Sequence, residues 1–303
     1  MTDVTVGVEQ RHDPGSSAGW RLTLRRFRRN RLALVGAVVF LTIVLAVALA
    51  GLSPYDPEDI DLRGRFAAPS FAHPFGTDDL GRDILTRVLF GGRISLLVGL
   101  LSMTLSVTIG TVIGSLAGYF RGALDSLLMR TTDLFLSLPS LFVLIVTSTL
   151  LLGTRFAQAH GGTVMIVVII GALSWMVVAR IVRASFLSIR ERTFVEAARA
   201  NGAGHLRMMA LHVLPNALGP VLVQATLQVA VAIIAESGLS YLGFGIQPPT
   251  ATWGNMLKDA QTYMTRVPWL AIFPGLLIFL TVMSVNAIGD GLRDAFDPRR
   301  AQR

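Results

Sequence analysis

Six long apolar stretches, separated by polar segments, dominate the chain: roughly residues 32–52, 94–119, 127–152, 163–183, 217–242 and 269–289. Crossing about 30 Å of hydrocarbon takes about 20 apolar residues in a helix, so each stretch is long enough to span a bilayer. A helix also satisfies its own backbone groups in lipid, where no water can. The pattern predicts an all-α integral membrane protein with six transmembrane helices. Gly110, Gly114 and Gly118 recur every fourth residue on the second stretch and form a smooth stripe against which another helix can pack closely. Pro139 and Pro274 predict kinks in the third and sixth spans.

The polar segments divide the chain further. Residues 1–31 form an N-terminal tail, polar to residue 19 and then mixing Trp20, Leu22, Leu24 and Phe27 with five arginines before Arg31. The mixed part suits a short helix lying among lipid headgroups, so membrane lipid is an expected partner. Residues 32–92 hold the first span and an external loop, 93–291 hold five spans, and 292–303 form a tail. The first apolar run is longer than the roughly 7–15 residues of a signal peptide, so Ala48-Leu49-Ala50 is expected to stay uncleaved. With the N-terminus inside, 19 of the 27 Lys and Arg residues fall on the cytoplasmic side. The bias favours both termini in the cytoplasm, although the loop after the first span carries Arg63, Arg65, Arg82, Arg87 and Arg93.

Composition agrees with the hydropathy pattern. The 303 residues are 52% hydrophobic and 15% charged, against about 25% charged in soluble domains. The net charge of +8 is read as arginines at the ends of spans and not as a nucleic-acid surface. There is no cysteine, and the histidines lack metal-ligand spacing, so neither disulfide nor metal site is expected. Lys258 is the only lysine and is followed by Asp259. A Walker A loop needs glycines before its lysine and Ser or Thr after it. This chain therefore lacks an ATPase site of that type and is not read as an enzyme.

Several residues are candidates for function. In the loop 184–216, Thr193 and Glu196 have capping-box spacing, Ala197 and Ala198 favour helix, and Gly202 is placed to end it in the left-handed conformation. A second short helix is expected from about His205 to Leu214, stopping before Pro215. Asp125, Arg130 and Asp133 sit at the cytoplasmic end of the third span, and Arg180 and Arg183 at that end of the fourth, where they pair between helices, snorkel to the interface or serve in gating. Gln224 and Gln228 share a helix face; they either line a translocation path or bond a neighbouring helix. Glu236, in an apolar part of the fifth span, either meets a peptide amino terminus or pairs within the fold. The loop 244–268 carries Gln247-Pro248-Pro249 and a helix expected around Asn255–Tyr263, which shapes an outer gate, contacts a binding protein or anchors at the interface.

The loop residues Glu196-Ala197-Ala198, then Gly202, then Leu214-Pro215 resemble the cytoplasmic "EAA" loop of permease subunits of ABC importers. His212 stands where the general motif has isoleucine, with Val213 beside it. His73-Pro74-Phe75-Gly76-Thr77-Asp78 with Leu80-Gly81-Arg82-Asp83, Glu236 through Gly243 with Trp253-Gly254-Asn255, and Gly289 through Asp294 with Asp297-Pro298 are similar to segments of the dipeptide/oligopeptide permeases, C-type. The resemblance runs from about Arg21 to Arg300. It implies the type I importer permease fold in a bacterial inner membrane. It also implies a second homologous permease subunit, two ABC ATPase subunits or domains that use ATP and Mg, and an extracytoplasmic substrate-binding protein. Di- and oligopeptides are the implied substrates; nickel complexes or other small solutes are the alternative within the class. An ion-gradient-driven secondary transporter is the alternative outside it, and would be expected to carry paired intramembrane carboxylates and broken helices.

Overall fold

The protein is seen in a computed structural model that describes residues 23–296, with the backbone alone over 155–161. The described residues are helical throughout apart from loops and one isolated bridge, Thr77 to Asp83. The helices are α1 (Arg31–Ala48), α2 (Ile84–Phe120), α3 (Gly122–Ser137), α4 (Ser140–Leu152), α5 (Arg155–Ala172), α6 (Met176–Ile189), α7 (Thr193–Ala200), α8 (His205–Tyr241), α9 (Trp253–Ala260) and α10 (Trp269–Phe296). Four helices, α1, α2, α8 and α10, are each long and apolar enough to cross a membrane, while α3–α4 and α5–α6 are pairs bent by 89° and 41°; counting each pair as one span gives six. On that count the six-span expectation is met, with two of the spans broken.

Each departure from the expected spans has a local cause. α2 starts at Ile84, ten residues before the apolar run, and is 37 residues long, about 55 Å at 1.5 Å per residue. Arg87 and Arg93 interrupt the apolar pattern there without interrupting the helix, because both are satisfied. Arg87 donates to the Pro57 carbonyl at 3.1 Å and pairs with Asp78. Arg93 donates to the carbonyls of Val47 and Ala48, at the C-terminal end of α1, at 2.9 and 2.8 Å. The third span breaks sharply where a kink was expected: Leu138 is extended (φ −86°, ψ 139°), as the residue before a proline prefers. α10, by contrast, runs through Pro274 as one helix.

α2 is the central element. Its glycine stripe lies against α6, as expected, and the approach is backbone-close. A Cβ at Gly114 would sit 2.4 Å from the Ala179 carbonyl oxygen, and one at Gly110 2.7 Å from that of Trp175. A Cβ at Gly118 would sit 2.6 Å from the Phe186 Cβ. On the other side, α1 packs on α10, where Gly36 and Gly291 leave room for Ser284 and Ala33. Asn30, whose side chain caps α1, also donates to Asp294. The start of α1, the end of α10, the α2–α3 corner and residues 190–217 thus share one end of the bundle, called here the loop end. Residues 53–83 and α9 occupy the other.

The far-end loop 53–83 is held by its own polar side chains. The Thr77 hydroxyl donates to the Gly64 carbonyl and accepts from the Ala67 amide. Asp78 accepts from the Leu80 and Arg82 amides and from Arg82 Nε at 2.7 Å. Asp83 caps α2 through Thr86 and also meets His73 Nδ1 at 3.0 Å. Gly81 makes this turn at φ +80°, with the Asp61 carbonyl 1.8 Å from where a Cβ would sit. Gly81→Ala therefore adds that clash to the roughly 1–2 kcal/mol of left-handed strain. Limited proteolysis should cut within 53–83 faster in this variant, while a cut pattern identical to wild type would contradict the packing described.

Candidate coupling loop and polar sites within the spans

The loop between α6 and α8 is built from backbone geometry outward. α6 ends at Ile189, and Arg192 in an extended conformation (φ −85°, ψ 147°) begins α7. The expected Thr193–Glu196 capping box is not formed. Arg192 is the N-cap, and its carbonyl takes the amides of Val195 and Glu196 at 2.9 and 3.3 Å. Thr193 is therefore already inside the helix, too far along for its hydroxyl to cap. Glu196 is left exposed, with no bond to another described residue.

The far end of α7 follows expectation closely. Gly202 has φ +79°, its amide bonds Arg199 O at 3.0 Å, and the Ala203 amide bonds Ala198 O at 3.2 Å. This pair of bonds around a left-handed glycine is the Schellman ending, completed by Ala198 and Ala203 packing in the core below. Space beside Gly202 is open, so it is the backbone angle, not crowding within the chain, that requires glycine.

The second half of the loop differs from the expected separate helix. His205 begins a continuous 37-residue helix through Tyr241, and Leu214 and Pro215 lie within it. A π-helical turn over Met208–Val213 precedes Pro215. Such a turn shifts donors by one residue, which accommodates a proline that lacks an amide and crowds the carbonyl four residues back. The Asn216 side chain also donates to the His212 carbonyl at 2.7 Å.

The loop is tied to the spans at named points. Val195, Met208 and Val213 are buried with Phe186 and Ile189. Arg190 donates to the Tyr119 carbonyl at 2.6 Å, and the Tyr119 hydroxyl meets His205 Nδ1 at 3.0 Å. Arg121 bonds Glu191 at 2.5 Å and holds its carboxyl below the usual carboxylate range. The outer side is left bare: Glu196, Ala197 and Gly202 are exposed, and Leu206 is 82% exposed. Sequence reasoning missed Tyr119 and Arg190, whose only signal is a polar group at a span end.

The polar residues of the spans fall in different places. Arg183 grips Asp125 with two bonds, at 2.5 and 2.7 Å, and Arg180 pairs with Asp133. Gln228, 4% exposed, donates to the Ser174 carbonyl at 3.2 Å, a group freed by the break between α5 and α6. Gln224, one turn away, is half-buried. Glu236 is 0% exposed, and accepts from Ser240 at 2.7 Å and Ser95 at 3.1 Å.

Comparison with known proteins bears on what this arrangement serves. Residues 110–302 match the family model described as the binding-protein-dependent transport system inner membrane component. Residues 19–69 match the N-terminal TM domain of oligopeptide transport permease C. The chain belongs to this permease family, in its dipeptide/oligopeptide class. A putative peptide permease protein of Brucella suis biovar 1 (strain 1330) is 44% identical over 94% of this chain and 93% of its own length. The dipeptide transport system permease protein DppC of Alkalihalophilus pseudofirmus is 38% identical over 92% and 90%. The glutathione transport system permease protein GsiD of Escherichia coli O6:K15:H31 is 39% identical over 92% and 90%. The larger of the two matched regions contains the whole of the loop between α6 and α8, together with Asp125, Asp133, Arg180, Arg183, Gln224, Gln228 and Glu236.

The Asp125–Arg183 pair joins α3 to α6 in this permease, which otherwise buries little of α3. Its two side chains are 15% and 34% exposed, so solvent screens part of its energy. A double-mutant cycle with Asp125→Asn and Arg183→Gln should give a coupling of about 1 kcal/mol, measured by thermal unfolding in detergent. Additive effects would mean that the pair does not hold the two spans together.

Proposed function

We propose that this chain is one of two permease subunits of an ATP-driven importer for di- and oligopeptides, forming half of the translocation path. The observation that carries this reading is α7 with its Schellman ending: a short helix pinned to α2, α6 and α8 on one side and bare on the other. On this reading the bare side, from Glu196 to Gly202 and on to Leu214-Pro215, docks on an ABC ATPase subunit or domain. The partner subunits bind ATP and Mg, and an extracytoplasmic protein delivers the peptide. The loop end is then cytoplasmic, with both termini, in a bacterial inner membrane.

The mechanism follows from the connections. Because α8 is unbroken from His205 into the span, a push at the loop reaches Gln224 and Gln228 without a flexible joint between. Tyr119 and Arg190 carry the same displacement to α2, and α6 follows through the glycine contact. Closing and reopening of the ATPases thereby tilts three packed helices together, which is what alternating access to a path requires. Gln224, half-buried, is the member of the Gln224, Gln228 and Glu236 set best placed to meet a passing peptide. Gln228 and Glu236 are buried and are given no contact with the peptide.

Two measurements test this. The chain has no native cysteine, so single cysteines are clean probes. Cysteine at Ser70 or Thr250 should react with an impermeant reagent from outside, and cysteine at Ser16 or Gln302 only from the cytoplasm. The reverse pattern would place the coupling loop away from any ATPase.

The second concerns the loop itself. Glu196→Ala removes an exposed side chain with no side-chain bond among the described residues, so expression and thermal stability should match wild type. Loss of about 1.4 kcal/mol of docking energy would weaken ATPase association roughly tenfold. Gly202→Val adds left-handed strain of about 1–2 kcal/mol. In both variants peptide uptake and substrate-stimulated ATP hydrolysis should fall together. Wild-type uptake in both would show that the loop does not couple.

A further inference from the structure

Glu236 is a fully buried carboxylate in an apolar span, and the transport mechanism above gives it no role. Its surroundings are specific. Ser95 on α2 donates to Oε2 at 3.1 Å and accepts the Trp253 amide at 3.2 Å. Ser240, one turn along α8, donates to Oε1 at 2.7 Å and accepts the Ile246 amide at 3.2 Å. Ser237 donates to Oε2 at 3.5 Å, and the Thr252 hydroxyl accepts the Asn255 amide at 3.2 Å as the N-cap of α9.

Ser95 and Ser240 thus each take a backbone amide of the far-end segment on one lone pair and turn their hydrogen toward Glu236. Hydroxyl donors arrive on both carboxylate oxygens. An amide in the same place has one accepting oxygen, so one of the two hydroxyls would lose its acceptor. The two straps run from α2 to the Trp253 amide at the start of α9, and from α8 to the Ile246 amide just beyond it. Close packing reinforces them: a Cβ at Gly254 would lie 2.6 Å from the Ser237 carbonyl oxygen, and one at Gly245 would lie 2.2 Å from Ser240 Oγ. Trp253 is buried below, with its indole nitrogen bonded to the Val88 carbonyl at 2.9 Å.

We propose that Glu236 is a positioning residue that clasps the far-end segment 246–260 to α2 and α8, so that this segment moves with those spans during transport instead of opening as a separate lid. The transport part of the proposal rests on the importer reading above; the clasp itself does not.

Hydrogen exchange on the purified full chain tests the clasp. Glu236→Gln should raise amide exchange in 246–260 by about tenfold or more, the signature of local opening, while α10 and the loop 193–204 exchange as in wild type. Ser95→Ala cuts one strap and should raise exchange in the same segment by less. It also keeps the test decisive if the Gln variant fails to fold. Unchanged exchange at 246–260, or a uniform rise over all spans, would overturn the clasp. In proteoliposomes with the ATPases and binding protein, Glu236→Gln should lose binding-protein-stimulated ATP hydrolysis and keep the basal rate. Retained stimulation alongside increased exchange would overturn the transport role. Absence of stimulation in the wild type would count against the importer reading, with the clasp decided by the exchange result alone.

Discussion

The bond from Gln228 to the Ser174 carbonyl is a small instance of the constraint on which this structure depends: backbone groups inside an apolar layer have no water to turn to. At several points where the chain departs from a continuous helix, a side chain bonds the exposed backbone. Arg93 does so at the end of α1, and Asn216 does so in the π turn before Pro215. Asp83 does so at the start of α2. At the 41° break between α5 and α6 the bond comes from Gln228.

Two kinds of contact divide the labour. Small residues bring backbones together: Gly110, Gly114 and Gly118 put α2 directly against α6, and Gly36 and Gly291 do the same for α1 and α10. Close contact of this kind resists separation but not sliding, since it lacks directional bonds. Directional bonds are concentrated at the two ends. At the loop end Tyr119, Arg190 and Arg121 tie α2 to the loop between α6 and α8, and Asp125 ties α3 to α6. At the far end serine hydroxyls converge on Glu236. An apolar middle with polar fastenings at both ends suits a body that must tilt as a unit.

Much of this was legible in the chain. Six apolar stretches gave the number of spans, because crossing hydrocarbon sets a minimum length that no loop imitates. The glycine spacing on α2 identified a close-packing face, since only a missing Cβ allows carbonyl oxygens so near. Gly202 announced its positive φ for the same steric reason. What hydropathy misjudged was where helices end. It stopped the second span short at Arg93 and the fifth at Pro215, because a charge or a proline breaks an apolar run without necessarily breaking a helix.

The sequence by itself determined the class of molecule, the apolar stretches long enough to cross a bilayer and the close-packing glycine face of α2. Only the tertiary structure decided which polar residues are fastened to which. Thr193 and Glu196 have the spacing of a capping box and do not form one, whereas Thr252 and Asn255 do. The difference is that the Arg192 carbonyl already occupies the first amides of α7. Likewise Gln224, Gln228 and Glu236 are alike as polar residues on one span, yet they end as half-buried, bonded to a helix break, and enclosed by hydroxyls. Hydropathy reads each residue alone; a hydrogen bond needs two groups, and in this chain the second lies up to 264 residues away.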